Sequence, residues 1–162
     1  MKNLLVLVVL FFPALAYSSF PIQVSREEFV ENTDHLLVGH VVAVDMIDGQ
    51  GREITDPSAM TGPGSKNLIR LIVKVDEVLI SNATIIPDIV KVPLDPFMHY
   101  SFGQIRDAHS SEAGKLLLLL KGDDFQPPYP GTFSLSLTEK DKVIELMKSN
   151  KKLQPTADAP AE

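Results

Sequence analysis

The 162-residue chain contains no cysteine and no tryptophan, and its larger aromatic side chains are eight phenylalanines and three tyrosines. Without cysteine no disulfide can form, so packing alone has to hold the fold together. Small secreted domains of animal fluids are usually cross-linked, and the absence of cysteine therefore favours a bacterial envelope or medium. Positive charge is also scarce, because 15 Lys and Arg oppose 21 Asp and Glu. With no basic cluster, the chain is a poor partner for nucleic acid or an anionic membrane surface.

The N-terminus has the pattern of a secretory signal peptide. Lys2 supplies the positive charge, residues 4–12 form an apolar run, and Ala14 and Ala16 are the small residues of a cleavage site. We expect residues 1–16 to be removed, which leaves an exported protein in the periplasm or the medium. The apolar run is shorter than the ~20 residues that a helix needs to cross a bilayer. The mature protein is therefore expected to be soluble, with no membrane insertion after cleavage.

Residues 17–152 are expected to form a single domain, because a chain of this length suits one hydrophobic core. Ser25 and Glu28 form an S-x-x-E capping box, which predicts a short N-terminal helix. Thr138 is the predicted N-cap of an amphipathic C-terminal helix. Residues 153–162 are rich in Pro, Ala and acids and are expected to be disordered. The predicted helices cover residues 26–33 and 139–149, and the predicted strands cover 36–46, 67–80, 89–92, 115–121 and 132–137.

Three of the predicted strands carry further structural information. The first is apolar on both faces, which predicts a central position, and Gly39 within it predicts a bend or a close approach by another backbone. The second is long enough to need a bulge, which we expect near Glu77. The fourth contains the five leucines 116–120, so both of its faces require cover, one of them from the C-terminal helix.

The order of these elements resembles that of exported OB-type barrels related to the netrin-like and metalloproteinase-inhibitor domains. The resemblance rests on Val38-Gly39-His40-Val41-Val42, on the strand at residues 71–79, and on Gly114-Lys115 followed by leucines. It covers residues 35–137 and implies a mainly β chain, folded as a single five-stranded, OB-like, partly open β-barrel with loops available for binding. In the inhibitor family an N-terminal Cys chelates the zinc of the target. This chain is cysteine-free, so no inhibitory residue carries over.

Two long segments between predicted strands are expected to be loops. Residues 48–66 collect turn-forming residues, and residues 95–114 collect aromatic, His and Arg side chains in a chain otherwise poor in aromatics. Aromatic residues and Arg often dominate protein interfaces, so the second loop is the predicted interaction surface. The alternative is that Phe97 and Phe102 fold back and cap the open end of the barrel. The candidate binding residues are Phe97, His99, Tyr100, Phe102, Arg106 and His109.

Few residues have the pattern of a metal or catalytic site. His99, His109 and Glu112 are ligand types, but the sequence shows no rigid frame that would bring them together. The acids of the first loop do not follow the spacing of a calcium-binding loop. The chain also lacks a Cys nucleophile and a G-x-S-x-G motif. We expect no metal and no cofactor, and the sequence favours a protein that is not an enzyme.

These patterns lead to one functional hypothesis and two alternatives. The first is an exported, soluble binding module that engages a protein or another envelope component through its long loops. The second is a hydrolase or metal-dependent enzyme centred on the loop at residues 96–112. The third is a structural or assembly protein of the envelope, in which the leucine-rich strand forms an oligomer interface. Solution mass and metal content distinguish the three.

Overall fold

The computed structural model describes residues 24–110 and 114–153. The predicted leader, residues 1–16, lies outside the described residues, as do residues 154–162 of the predicted disordered tail. The described residues form three α-helices, five β-strands and one 3-10 turn. In chain order these are α1 (Arg26–Glu31), β1 (His35–Ile47), β2 (Leu68–Ile80), β3 (Ile89–Pro93), α2 (Phe102–Ser110), β4 (Lys115–Leu120), β5 (Ser134–Leu135), the 3-10 turn (Leu137–Glu139) and α3 (Lys140–Leu153).

The five strands pair antiparallel in one sheet with the order β3-β2-β1-β4-β5. β1 is the central strand, as its two apolar faces predict. Within residues 24–110 and 114–153, β3 and β5 do not pair with each other, so the sheet is open. The chain is therefore mainly β, but the predicted OB-like barrel is not confirmed, because the pairing that would close it is missing.

Gly39 lies at a close approach of the β1 and β2 backbones. A Cβ atom on Gly39 would lie 2.6 Å from the carbonyl oxygen of Lys74, which confirms the predicted close approach of another backbone. Next to this point, the pairing with β1 passes from Glu77 to Val75 and leaves Asp76 as an extra residue. This irregularity is the bulge predicted near Glu77, and it increases the local twist of the ribbon.

The leucines of β4 alternate between two hydrophobic clusters on opposite faces of the sheet. Leu118 and Leu120 belong to the first cluster, with apolar residues of β2 and β3. Leu117 and Leu119 belong to the second cluster, which α1 and α3 cover. The two-sided cover predicted for this strand is therefore confirmed, including the contribution of the C-terminal helix. The helical residues of the second cluster are Phe29, Val30, Val143 and Met147.

A third cluster closes the far end of β1 and β2. Met46 and Ile69 come from these strands, and Phe102 comes from α2. The prediction of a loop throughout residues 95–114 is therefore wrong at Phe102–Ser110, which is helical. Ser101 and Gln104 have the S-x-x-Q spacing that could have indicated the helix, but a helix this short has only two core-facing residues and little periodicity.

The C-terminal region differs from its prediction in three details. β5 contains two residues instead of six, because the Pro-rich segment before it forms turns rather than a ladder. Ser136, not Thr138, is the N-cap, since its hydroxyl accepts the amide of Thr138 and a 3-10 turn precedes α3. α3 continues to Leu153, beyond the predicted end at Ser149. No helix among the described residues has the length and apolar character needed to cross a bilayer.

Candidate functional site

The two segments predicted as long loops meet in the folded chain. The amide of Thr61 donates to the carbonyl of Tyr100 at 3.0 Å, and the amide of Tyr100 donates to the Thr61 hydroxyl at 3.1 Å. The same hydroxyl donates to the carbonyl of Met98 at 2.7 Å. Residues 57–62 and 97–101 are therefore held as one structure, which we call the two-loop surface.

The first turn of α2 is attached to the same surface. The amides of Phe102 and Gly103 donate to the carbonyls of Ala59 and Pro57, each at 2.9 Å. The first amides of a helix have no partner within the helix and often donate to a capping side chain. Here the carbonyls of Ala59 and Pro57 accept these hydrogen bonds instead. The position of α2 and the shape of the two-loop surface consequently depend on each other.

The two-loop surface carries three large apolar side chains that face solvent. Phe97 is 69% exposed, Met60 is 49% exposed and Met98 is 48% exposed. Beside them in sequence, the His99 ring lies against Gly62, where a Cβ atom would overlap it. Gly62 has φ 139°, a conformation that suits glycine and few other residues. The backbone that presents the apolar side chains is thus specified by close packing.

The six candidate residues divide into a surface group and a packed group. Phe97 and His99 are exposed, whereas Phe102 is buried in the third cluster and Tyr100 packs beside it. Phe102 therefore folds back onto the core and Phe97 does not. The remaining two candidates lie on α2: the Arg106 guanidinium is 5.4 Å from the centre of the Phe102 ring, and His109 is half-buried.

The environment of Tyr100 also indicates a structural position. Burial raises the pKa of its hydroxyl, and the negative charge of Asp95 raises the pKa further. The phenol therefore stays neutral across the physiological range. Nothing in this environment activates it for proton transfer, which needs a pKa near the working pH.

Met60 and Met98 are exposed residues that the sequence analysis did not select. The candidate binding residues were chosen from the sequence as aromatic, His and Arg side chains. Methionine is equally suited to adaptable binding surfaces. The available signal was the placement of two methionines in loops, outside any apolar periodicity that would assign them to the core. Their proximity could not be predicted, because it depends on hydrogen bonds between segments almost 40 positions apart.

Asp45, at the end of β1, and Asp48, at the start of the first loop, have partners within the chain. Asp45 forms a two-bond ion pair with Arg70, at 2.6 and 2.8 Å. Asp48 accepts two backbone amides and the Arg52 side chain, and these bonds lower the pKa of its carboxyl. Residues 24–110 and 114–153 contain no group of three His, Asp or Glu side chains suited to a metal ion. Of the proposed ligand triad, Glu112 lies outside the described residues.

His35 and His40 are five positions apart, so on a strand their side chains face opposite sides, and the two have separate environments. His35 is buried, and its ring nitrogens lie 2.8 Å from the Ser81 hydroxyl and 3.0 Å from the Gly122 carbonyl. Half-buried His40 lies 2.9 Å from Asp76, whose pKa it lowers by hydrogen bonding. Both rings therefore have structural partners, and neither lies on the two-loop surface.

Comparison with protein-family models, with curated proteins and with solved structures finds no match to this chain. The function is therefore inferred from the chemistry of the surface itself. The two-loop surface combines a backbone that hydrogen bonds hold together with solvent-facing apolar side chains. Such a surface is suited to binding and offers no activated nucleophile.

Proposed function

We propose that this protein is an exported binding module that engages a protein or another envelope component through the two-loop surface. The observation that carries the proposal is the group of three exposed apolar side chains, Met60, Phe97 and Met98, on a hydrogen-bonded backbone. Burial of apolar area in a complex is favourable by about 25 cal/mol per Å². A rigid surface also loses little conformational entropy on binding.

Export belongs to the same proposal and is supported by the leader pattern at residues 1–16. The likeness to netrin-like, OB-type barrels is also a proposal. It is supported by the five antiparallel strands and the central β1, and it is limited by the open edge between β3 and β5. The oligomer alternative loses its predicted interface, because Leu117–Leu120 are buried within the chain.

The sharpest test replaces the exposed side chains while preserving the backbone. A photo-crosslinking amino acid at position 97, expressed in the source cell, identifies the partner, whose affinity is then measured with purified components. Phe97→Ser with Met98→Ser should raise the Kd about tenfold or more, because central apolar residues dominate interface energy. The thermal midpoint should remain unchanged, since neither side chain belongs to a core cluster.

The matched control is Val42→Ser with Val78→Ser, which removes two half-exposed apolar side chains from the strands. This control should leave the affinity unchanged. Replacing the candidate residues Tyr100 and Arg106 instead would be a less suitable test of binding. Tyr100 packs against the third cluster, so its loss would disturb the fold. Unchanged affinity in the Phe97/Met98 variant would remove the two-loop surface as the binding site.

A further inference from the structure

One edge of the sheet, the outer side of β3, has unpaired backbone groups. The amide of Val75 donates to the Asp88 carbonyl, and the amide of Leu94 donates to the Ile69 carbonyl. The backbone N–H and C=O groups of the even-numbered residues from 88 to 94 therefore point towards β2. Because hydrogen-bonding direction alternates along an antiparallel strand, the backbone groups of residues 89, 91 and 93 face outward. No residue of the described chain pairs with them.

This edge forms one wall of a cleft of about 550 Å³. The opposite wall is the turn at residues 123–126, which follows β4. Phe125 anchors the turn, since it is buried in the first cluster and its ring centre lies 4.5 Å from that of His35. The cleft therefore separates β3 from a fixed segment, at the place where the sheet is open.

The walls of the cleft differ in chemical character. Ile85, which is 80% exposed, and Ile89 give the β3 side an apolar surface. Asp123 and Asp124 are exposed on the opposite side and have no cation within ion-pairing distance among the described residues. Arg70 and Lys91 also line the cleft on the β3 side, where the Arg70 guanidinium is already paired with Asp45. The cleft thus offers apolar contacts and unpaired backbone groups along β3, and negative charge on the opposite side.

We propose that the cleft binds one extended peptide segment of another protein, apolar at alternate positions and carrying Lys or Arg between them. The segment adds to β3 as a further strand, through the amides and carbonyls of Ile89 and Lys91 and the carbonyl of Pro93. Its basic side chains reach Asp123 and Asp124. Five residues of β3 correspond to about 17 Å of strand, so the bound segment is about five residues long. This site does not depend on the two-loop surface.

Other occupants fit these features less well. The sheet edge of a second copy is the border of a whole domain, and a cleft of about 550 Å³ suits a short segment better than such a border. The segments of this chain that flank the described residues also lack the positive charge that the cleft would attract. Residues 17–23 and 154–162 contain no Lys or Arg, and the latter carry two acids that Asp123 and Asp124 would repel.

The test uses a synthetic heptapeptide of alternating valine and lysine with blocked ends, whose binding is measured by fluorescence anisotropy. Its control is the same peptide with N-methyl groups on all backbone amides, which preserves charge and side chains but leaves neither edge of the peptide with an N–H to donate. We expect the N-methylated peptide to bind at least about tenfold more weakly, and the unmodified peptide to protect the Lys91 amide from hydrogen exchange. Equal binding of the two peptides would overturn the proposal, as would no binding at millimolar concentration.

Two pairs of variants locate the site on the protein. Lys91→Pro removes the outward amide, Lys91→Ala retains it, and both remove the same charge, so only the proline variant should lose affinity. Asp123→Asn with Asp124→Asn should weaken binding, whereas Asp141→Asn with Glu145→Gln, exposed on α3, should not. Equal affinities within either pair would contradict the assignment. A dimer of the free protein that Lys91→Pro dissociates would instead assign the edge to a second copy. If Lys91→Pro does not fold, the N-methylated peptide still decides.

Discussion

At the scale of single residues, Gly39 determines how closely β1 and β2 can approach. Gly39→Ala would place a methyl group 2.6 Å from a Lys74 carbonyl oxygen in the central strand pair. Backbone in a sheet cannot move aside easily, so we expect a loss of about 1–3 kcal/mol in the free energy of unfolding. Urea denaturation measures it. Gly114→Ala is the control, because a Cβ there meets no atom within 4 Å. Equal midpoints for the two variants would contradict the close approach.

Asp76 makes the free energy of unfolding depend on pH in the acidic range. A hydrogen bond with His40 lowers the pKa of its carboxyl, and the charge of Lys115 lowers it further. The folded state then holds this proton less tightly than the unfolded state does. Stabilisation is therefore complete above about pH 4, the ordinary value for Asp, and is lost as the pH falls towards the lower folded-state pKa.

Asp76→Asn should accordingly flatten the acid limb of the stability curve. Free energies of unfolding measured between pH 3 and pH 7 should fall less steeply below about pH 4 in the variant than in the parent protein. Asp141→Asn, on the exposed face of α3, is the control and should retain the parental slope. A parental acid limb in the Asp76 variant would show that the contact with His40 does not form in solution.

At the scale of elements, β4 is the strand whose side chains are most completely enclosed. Leu118→Ala and Leu119→Ala remove fully buried side chains from opposite faces, and each should cost on the order of 2–5 kcal/mol. Ile85→Ala, at a highly exposed position, should be close to neutral in the same denaturation experiment. If Leu118→Ala were destabilised and Leu119→Ala were not, the helices α1 and α3 would not cover the second face.

The connection between the two loops depends strongly on one hydroxyl group. Thr61→Val keeps the shape of this buried side chain but leaves the Met98 carbonyl and the Tyr100 amide without that partner. We expect a loss of about 1–3 kcal/mol, with faster hydrogen exchange at residues 97–101. Thr132→Val, exposed in the turn before β5, should leave exchange in the two loops unchanged. Unchanged exchange after Thr61→Val would show that the loops are ordered by other contacts.

The elements with a strong local pattern were predictable from the sequence. The Ser25 cap, the central β1 and the two-sided leucine strand follow from residues that are neighbours in sequence. α2 was missed because its first amides are satisfied by Pro57 and Ala59, which are more than 40 positions away. The site was predicted in part: Phe97 lies on the exposed surface, but its distance in sequence from Met60 concealed that the two share it.

At the scale of the whole molecule, the three hydrophobic clusters share one strand. β1 contributes Leu37 to the first cluster, Leu36 and Val38 to the second, and Met46 to the third. A change in one cluster is therefore transmitted to the others through the same backbone. We expect a single cooperative unfolding transition, with coincident curves from far-UV circular dichroism and tyrosine fluorescence.

The tyrosines make this test informative because they report on different regions. Tyr129 donates to Glu28 and accepts from Asn32 of the α1 region, at 2.9 Å in each case. Tyr100 reports on the two-loop surface. Tyr129→Phe and Tyr100→Phe, each combined with Tyr17→Phe, isolate the two signals, and both should give the same midpoint as circular dichroism. Separate midpoints would indicate that the two-loop end unfolds independently.

The pairing of β1 with β4 also has a consequence for how the chain folds in time. His35 contacts Gly122 across 87 positions, and β1 has no partner on that side until β4 has been synthesised. Contacts between such distant segments require closure of a long loop and form slowly. While the ribosome is still elongating the chain, β1 and β2 remain without half of their core. A nascent chain of this topology can complete its core only after its last third emerges, so the export that we propose would act on a chain whose sheet is still incomplete.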